Sequence, residues 1–402
     1  MNEESLLIHY WQLPEELFIT MKDGFHVKFC NLVKEKINSK LKNCFHKLLN
    51  CPKWHAQRLF TKYTRFTLKE LEELRKFAEI SEQEVEKEIA SIGNHEDGAF
   101  IRNPKLPFQL KDLVYVASHL MFDGSYREKK GCYFYAYEDS LVEYHKKRLS
   151  AFGEVPTNFM KEENQLYFSY TLGYIASKIL EIKTFRSTKC RLSEKMKGLA
   201  KENKMLVDEM VKSLIIDEGN IEDKMGAELS NEQLIKDLHE VISSYYNLTK
   251  ITARTRDISF KGKEKWKYHS TVWNLGFSAS SFKDLFLSIS PLPIEYKQKA
   301  LEFLNILQNN NQFHRKHTET KKLIISSLLK QQKTLSELAE ELIIRRTTVS
   351  AHIRNLPFIE TVGQQILRRG GYAKENIFGI KDIQQAQEFL DAEMHYKRNK
   401  LN

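Results

Sequence analysis

The amino-acid sequence predicts an α+β protein whose repeated core lies between a helical region and a compact unit of helices and strands. Proline and glycine are scarce, with 8 and 16 residues among 402, which favours helices over long loops. One segment of the middle region recurs further along the chain, with position 116 corresponding to position 211. Beyond about residue 315, three helical patterns are followed by two strand patterns.

The chain carries an excess of positive charge. Its 63 lysines and arginines outnumber 53 acidic residues and give a formal net charge of +10. Basic side chains neutralise phosphates and release counterions, so this balance favours a polyanionic partner such as nucleic acid. On charge alone, a basic protein unrelated to nucleic acid is the alternative.

Missing signatures exclude several classes of protein. The five cysteines form no CxxC pair, which argues against a zinc finger and favours a reduced, cytoplasmic compartment. No apolar stretch approaches the ~18 residues of a membrane span, and no signal-peptide pattern opens the chain. Walker and GxGxxG loops are missing too, so we expect no nucleotide cofactor.

The first 105 residues contain the start signals of several short helices. A helical pattern covers residues 26–49. Thr67 and Glu70 have the spacing of a capping box that opens a helix ending near residue 78, and Ser81 with Glu84 opens another in the same way. Short helices joined by a tight turn are typical of a helix-turn-helix domain.

The repeated segment is an apolar helix that ends in an acidic residue and a glycine. Residues 116–125 match residues 211–220, with Ser118 opposite Ser213. The two copies end in Asp123-Gly124 and Glu218-Gly219. A strand pattern and a helix pattern follow each copy, with the strands at residues 131–137 and 225–229.

The composition of these helices suggests that they pair. Small side chains, such as Ala117, Ser118 and Ser213, let two helices approach closely. The final glycine permits the left-handed conformation that helix ends favour. If the copies pair, Asp123 and Glu218 meet at one end, where two carboxylates need a cation. Oxygen ligands shared with substrate phosphates favour Mg²⁺.

Residues 116–125 and 211–220 resemble the two dodecapeptide motifs of single-chain LAGLIDADG homing endonucleases. The resemblance covers roughly residues 108–308. It implies a pseudo-twofold pair of αββαββα repeats forming a saddle-shaped sheet, and a monomer that cleaves both strands of duplex DNA. It also implies two or three divalent ions, Mg²⁺ above all, at Asp123-Gly124 and Glu218-Gly219. The family's peripheral basic residue corresponds best to Lys189 or Lys183.

Two positions depart from the family pattern. Met121 stands where the family favours an acid, and Lys212 occupies the position that Ala117 has in the first copy. Alternative functions are therefore a transcription regulator whose LAGLIDADG core no longer cleaves DNA, and an intron RNA maturase.

Strands of the second repeat supply candidate DNA contacts. Arg254 and Arg256 are two residues apart and share one face of a strand, where arginine can bond guanine. Lys265 and Lys267 follow on the next strand, where lysine mostly meets phosphate. A solvated edge strand is the alternative interpretation, and we prefer it for Lys261 and Lys263 in the turn.

The last region has the element order of a winged helix, with strands around residues 358–367 and 372–379. Its third helix places Val349 and Ile353 towards the core. The opposite face presents a recognition surface for the major groove. That surface consists of Arg345, Arg346, Thr347, Thr348, Ser350, His352 and Arg354, with Arg368 and Arg369 at the tip of the wing.

The sequence thus predicts a DNA-binding protein of five parts. They are a helical, helix-turn-helix-like DNA-binding region (1–105), two LAGLIDADG-like repeats (106–195 and 196–310), a winged helix (315–381) and a polar tail (382–402). The expected partner is double-stranded DNA and no membrane. The favoured activity is Mg²⁺-dependent cleavage, with Asp123, Glu218 and Lys189 as catalytic residues.

Overall fold

The structure, a computed structural model, describes residues 6–40, 46, 49, 54, 58, 65–94, 100–127, 131–186, 188–221, 224–259, 267–309, 317–366 and 374–398. The chain forms two compact units. The first comprises Met1–Asn220, Gly226–Phe277 and Ser288–Glu295, and the second Ile221–Met225, Ser278–Leu287 and Tyr296–Asn402. Within the described ranges, no helix has the length and apolar character needed to cross a membrane.

The N-terminal region combines helices with an antiparallel sheet. Its elements are β1 (Leu7–Ile8), a 3-10 turn (Tyr10–Gln12), β2 (Phe18–Met21), α1 (Asp23–Lys40), β3 (Phe66–Thr67), α2 (Leu68–Ala78), α3 (Glu82–Lys87), β4 (Ile89–Gly93) and β5 (Ile101–Arg102). Four strands pair in the order β3-β2-β4-β5. The prediction of a helical region missed this sheet, although both predicted helix starts are confirmed. The Thr67 side chain accepts from the Glu70 N–H, and the Ser81 side chain accepts from the Glu84 N–H.

The middle region shows the same order of elements twice. The first copy is α4 (Leu110–Phe122), preceded by β6 (Phe108–Gln109), then β7 (Ser125–Arg127), β8 (Gly131–Tyr135), α5 (Asp139–Leu149), β9 (Thr157–Met160), β10 (Gln165–Phe168) and α6 (Tyr170–Ile179). After α7 (Glu194–Glu202), the second is α8 (Lys204–Asp217), β11 (Gly219–Ile221), β12 (Met225–Leu229), α9 (Glu232–Ile242), β13 (Thr252–Ser259), β14 (Lys267–Gly276) and α10 (Phe282–Ile289). The sheets have matching orders, β7-β8-β10-β9 and β11-β12-β14-β13.

Helices α4 and α8, which carry the repeated motif, pack against each other. Ala117, Ser118 and Ser213 are fully buried, as expected of small residues in closely packed helices. Near the ends of the two helices, the His119 imidazole Nδ1 lies 2.8 Å from the Asp217 carboxylate. This contact joins one repeat directly to the other.

Gly124 and Gly219 follow these helices for a reason other than the predicted one. Neither has the left-handed φ, which among described glycines occurs at Gly131 and Gly153. A Cβ at Gly124 would lie 2.7 Å from the His119 carbonyl oxygen, and a Cβ at Gly219 would lie 2.5 Å from the Ile215 carbonyl oxygen. Each glycine therefore lets the chain leave the helix close to its own last turn.

We expect Gly219→Ala to lower the free energy of unfolding by about 1–3 kcal/mol, because backbone atoms must move to admit the methyl group. Urea denaturation measures this loss. Gly198→Ala in α7 is the matched control, since nothing lies within 4 Å of its added Cβ. That change should stabilise the helix by roughly 0.5–1 kcal/mol. Equal stability of Gly219→Ala and the wild type would contradict the steric explanation.

The second unit contains a small domain of helices around a three-stranded sheet. After α11 (Glu295–Asn309) come α12 (His317–Lys330), β15 (Lys333–Thr334), α13 (Leu335–Leu342), α14 (Arg346–Arg354), β16 (Ile359–Ile366), β17 (Lys374–Ile380) and α15 (Ile383–Arg398). The strands pair in the order β15-β17-β16. The predicted capping box at Thr334 and Glu337 is confirmed. Ile324, Leu338 and Val349, one from each of α12, α13 and α14, are fully buried in the same core.

Candidate nucleic-acid interface

Helix α14 has one buried face and one open face. Val349 and Ile353 face the core, as the sequence predicts. Thr347 and Arg354 are exposed, and Arg345, Thr348 and Ser350 are half-buried. His352 is 3% exposed, so its predicted place on the recognition surface is wrong. The open face is therefore formed by hydroxyl and guanidinium groups, which can bond base edges or phosphates.

Arg346 joins the recognition helix to the wing. Its Nη2 lies 3.0 Å from Oε1 of Glu375 on β17, a carboxylate whose side chain is 2% exposed. The same oxygen accepts from the backbone N–H of Ser336 at 3.0 Å and from its hydroxyl at 2.9 Å. One buried carboxylate thus connects the first turns of α13 and α14 to a strand of the wing. The sequence pattern predicts Arg346 on the DNA surface and gives no sign of its partner Glu375.

The wing consists of β16 and β17, whose antiparallel register runs from Ile359 opposite Ile380 to Ile366 opposite Lys374. The predicted tip residues, Arg368 and Arg369, lie outside the described residues. Val362 of β16 is 41% exposed.

In the sheet of the second repeat, the backbone positions of Arg254 and Arg256 agree with the sequence prediction. In the β13–β14 register, Arg254 pairs with Val272 and Arg256 with Ser270, so both positions lie on one face. The Arg254 Nη2 donates to the Glu228 carboxylate of β12 at 2.5 Å while its side chain stays 60% exposed. Lys267 opens β14, and Lys265, Lys261 and Lys263 lie outside the described residues.

The two motif acids follow the ends of the packed helices. Asp123 is the C-cap residue of α4 and Glu218 that of α8, and both are half-buried. Two carboxylates suit Mg²⁺, which keeps waters and shares substrate phosphates. Among the described residues, no group of three or more His, Cys, Asp or Glu side chains is arranged to hold a metal. Lys189 and Lys183 are exposed in the connection between α6 and α7.

A buried ionic cluster, which the sequence analysis did not foresee, connects α4, α5 and α8. The Arg148 Nη2 lies 3.2 Å from Oδ1 of Asp112 and 3.0 Å from Oε2 of Glu209. Its guanidinium carbon lies 4.5 Å from the centroid of the Tyr115 ring. Burial raises the pKa of both carboxyl groups, and the Arg148 charge acts in the opposite direction.

Two buried histidines belong to the same region. His145 Nδ1 lies 2.6 Å from the Tyr115 hydroxyl, and its ring contacts that of His119 edge to face. Burial lowers the pKa of His119 to about 3 and that of His145 well below its usual value. Both imidazoles are therefore neutral near pH 7.

Lys212, the residue that departs from the family pattern, is directed towards α5. Its Nζ lies 5.8 Å from the centroid of the Tyr144 ring. Burial lowers the pKa of this amine, while the Glu209 charge acts to raise it. A cation next to an aromatic face explains how α8 carries a lysine beside its close contact with α4.

One family comparison bears on this chain. Residues 318–357 match the family described as bacterial regulatory protein, arsR family. Those residues include most of α12 together with β15, α13 and α14. No curated protein matches the chain in sequence. The protein thus carries a DNA-binding helix-turn-helix domain of the ArsR type, and the resemblance of residues 108–308 to LAGLIDADG proteins stays a prediction.

Proposed function

We propose that this protein is a sequence-specific transcription regulator that binds double-stranded DNA through α14. The match of residues 318–357 to a regulatory helix-turn-helix carries this proposal. It is supported by the position of Thr347 and Arg354 on the open face of α14, opposite the buried Val349 and Ile353. A recognition helix of this kind enters the major groove with its N-terminal residues near the bases.

The proposed roles of the polar residues follow from their placement. The proposed contacts with base edges come from the N-cap and the first half of the helix, namely Arg345, Thr347, Thr348 and Ser350. Arg354, at its end, meets phosphate. Arg346 positions the helix through Glu375 and adds charge from its exposed third. Arg368 and Arg369 of the wing contact the DNA backbone.

The repeated core is proposed as a LAGLIDADG-like DNA-binding platform that has lost cleavage. The duplicated order of elements and the contact of α4 with α8 support a pseudo-twofold core. In this proposal the saddle-shaped surface contributes Arg254, Arg256, Lys265 and Lys267 to the phosphate contacts. The long interface strengthens binding and spreads it over more base pairs than the winged helix alone covers.

Mg²⁺-dependent cleavage of duplex DNA is the second candidate function. The acid-glycine ends of two packed helices favour it. Asp123 and Glu218 would hold the ion, which would activate water for attack on a phosphodiester. Lys189 or Lys183 would serve as the peripheral basic residue.

The proposal predicts that wild-type protein selects a specific sequence from a randomised duplex library without Mg²⁺. We expect Arg354→Ala and Thr347→Glu each to weaken binding to that duplex by about tenfold or more, the effect of losing one good DNA contact. Lys381→Ala, which removes an exposed cation after the wing, is the matched control and should change affinity much less. Fluorescence anisotropy measures all four proteins.

The same selected duplex, incubated with Mg²⁺, separates the two candidates. A regulator leaves it intact. Cleavage that disappears in both Asp123→Asn and Glu218→Gln would instead establish the nuclease. Selection of no sequence by the wild type would refute both forms of the proposal.

A further inference from the structure

The chain contains a second helix-turn-helix with the same backbone design as the C-terminal one. Helix α2 begins with a capping box at Thr67 and Glu70, and α13 begins with one at Thr334 and Glu337. Each of the two helices ends at a left-handed residue, Glu79 with φ 59° or Ile343 with φ 52°. Helices α2 and α13 thus begin and end with the same local signals.

The turns and second helices also correspond. In the N-terminal copy, Ile80 N–H donates to the Arg75 carbonyl at 3.2 Å, and in the C-terminal copy Ile344 N–H donates to the Ala339 carbonyl at 3.0 Å. The next residue is the N-cap of the second helix, Ser81 or Arg345. Four residues later, Val85 and Val349 are both fully buried. This alignment places Gln83 opposite Thr347 and Glu86 opposite Ser350.

The second helices differ in charge. Every second residue from the start of α14 is basic or polar, namely Arg346, Thr348, Ser350 and His352. The four corresponding residues of α3 and its C-cap are all glutamates, namely Glu82, Glu84, Glu86 and Glu88. Phosphates repel a helix of this composition. Each glutamate is also paired within the N-terminal region. The pairs are Glu82 with Arg75 at 2.9 Å, Glu84 with Lys28 at 3.3 Å, Glu86 with His9 at 3.0 Å and Glu88 with Lys22 at 3.7 Å.

The chain's own N-terminal segment, residues 6–13, contacts α3 at Glu86, the counterpart of the proposed base contact Ser350. The Glu86 carboxylate accepts from the Tyr10 backbone N–H at 3.0 Å in addition to its contact with His9. Tyr10 is fully buried, and its hydroxyl donates to Glu72 of α2 at 2.5 Å. Just before it, Leu7 and Ile8 pair with β6, the strand that leads into α4.

We infer that the N-terminal helix-turn-helix binds residues 6–13 of its own chain through Glu72 and Glu86, the second of which stands where α14 has the proposed base contact Ser350, and so braces the repeated core instead of contacting DNA. Glu72 and Glu86 on the helices bond Tyr10 of the segment, and β6 next to α4 pairs with its Leu7 and Ile8. The inference differs from the DNA-binding role that the sequence predicts for residues 1–105. It rests on the proposed function only for the comparison with α14.

A matched pair of substitutions tests the DNA part in the full chain. Gln83 and Thr347 are exposed at equivalent positions of the two second helices. On the duplex selected by the wild type, Thr347→Ala should weaken binding severalfold, and Gln83→Ala should change it less than twofold. A loss in Gln83→Ala as large as that in Thr347→Ala would overturn the inference.

Amide hydrogen exchange tests the brace without any DNA. Glu86→Ala should speed exchange at least tenfold in residues 7–13 and in α3, and leave exchange in α14 unchanged. Tyr10→Phe, which removes one hydroxyl, should do the same to a smaller extent and covers the case in which Glu86→Ala unfolds the region. Wild-type exchange in both variants would overturn the inference. If the wild type binds no duplex, the proposed function fails, and this measurement still decides the brace.

Discussion

Replacing Arg148 with alanine is expected to lower the free energy of unfolding of the first unit by about 3–5 kcal/mol. The change leaves the carboxylates of Asp112 and Glu209 buried without their shared cation, and uncompensated buried charge is among the most costly single defects in a protein. It also removes the cation over the Tyr115 ring. Because Asp112 and Glu209 belong to different repeats, both repeats should lose stability together.

Urea denaturation, followed by tryptophan fluorescence, measures the effect. Lys146→Ala is the control, because this lysine lies on the same helix with a 43% exposed side chain paired to Glu143. Its removal should cost no more than about 0.5 kcal/mol. Adding Asp112→Asn and Glu209→Gln to Arg148→Met should restore much of the loss, since no buried charge then remains unpaired. An Arg148→Ala protein with wild-type stability would show that the cluster is not a structural link.

Stability should also fall steeply as the solution is acidified below about pH 6.5. The pKa of His119 is lowered to about 3 by burial, so in the window from about 6.5 down to 3 the unfolded chain binds a proton that the folded chain does not. His145, with its pKa lowered by burial, acts in the same direction. His119 alone should cost about 1.4 kcal/mol per pH unit in that window. Asp112 and Glu209, whose pKa values are raised, act in the opposite direction at the acidic end.

The difference between wild type and His119→Gln isolates one histidine. Glutamine can still donate to Asp217 but takes up no proton. On acidification, the variant should therefore lose about 1.4 kcal/mol less of its free energy of unfolding per pH unit than the wild type does. Urea midpoints between pH 7.5 and 4.5 give both curves. His239→Gln, a substitution of a half-buried histidine in α9, serves as the comparison. Parallel curves for wild type and His119→Gln would contradict the assignment of a buried neutral imidazole.

The elements that could be predicted from sequence are those with local signals. Caps at Thr67, Ser81 and Thr334 and the alternation of apolar residues placed most helices and long strands within a few residues. The duplicated motif was visible because its helix, strand and helix recur in the same order. Strands β2 and β4 were missed because each is short and pairs with residues about seventy positions away, which no local window contains.

The buried ionic cluster and the contacts of the recognition helix were less predictable, because they join residues that are distant in the sequence. Arg148, Asp112 and Glu209 come from three helices, and each looks like an ordinary surface charge in its own segment. Arg346 looked like a free DNA contact because its partner Glu375 lies 29 residues further along the chain, on the second strand of the wing. The DNA-binding role predicted for residues 1–105 came from its short helices joined by a tight turn. That pattern does not reveal the ion pairs of the acidic helix α3, because their partners Lys28, His9 and Lys22 lie more than fifty residues away.

The Glu375 carboxylate sets the spacing between the recognition helix and the wing. It contacts the first turns of α13 and α14 and is itself part of β17, so we expect the recognition helix and the strands of the wing to move as one body. In the proposed complex, the interval between the bases touched by α14 and the phosphates touched by the wing is therefore fixed. One inserted base pair rotates those phosphates by about a tenth of a helical turn. The preferred sites should accordingly vary in sequence at single positions long before they vary in spacing.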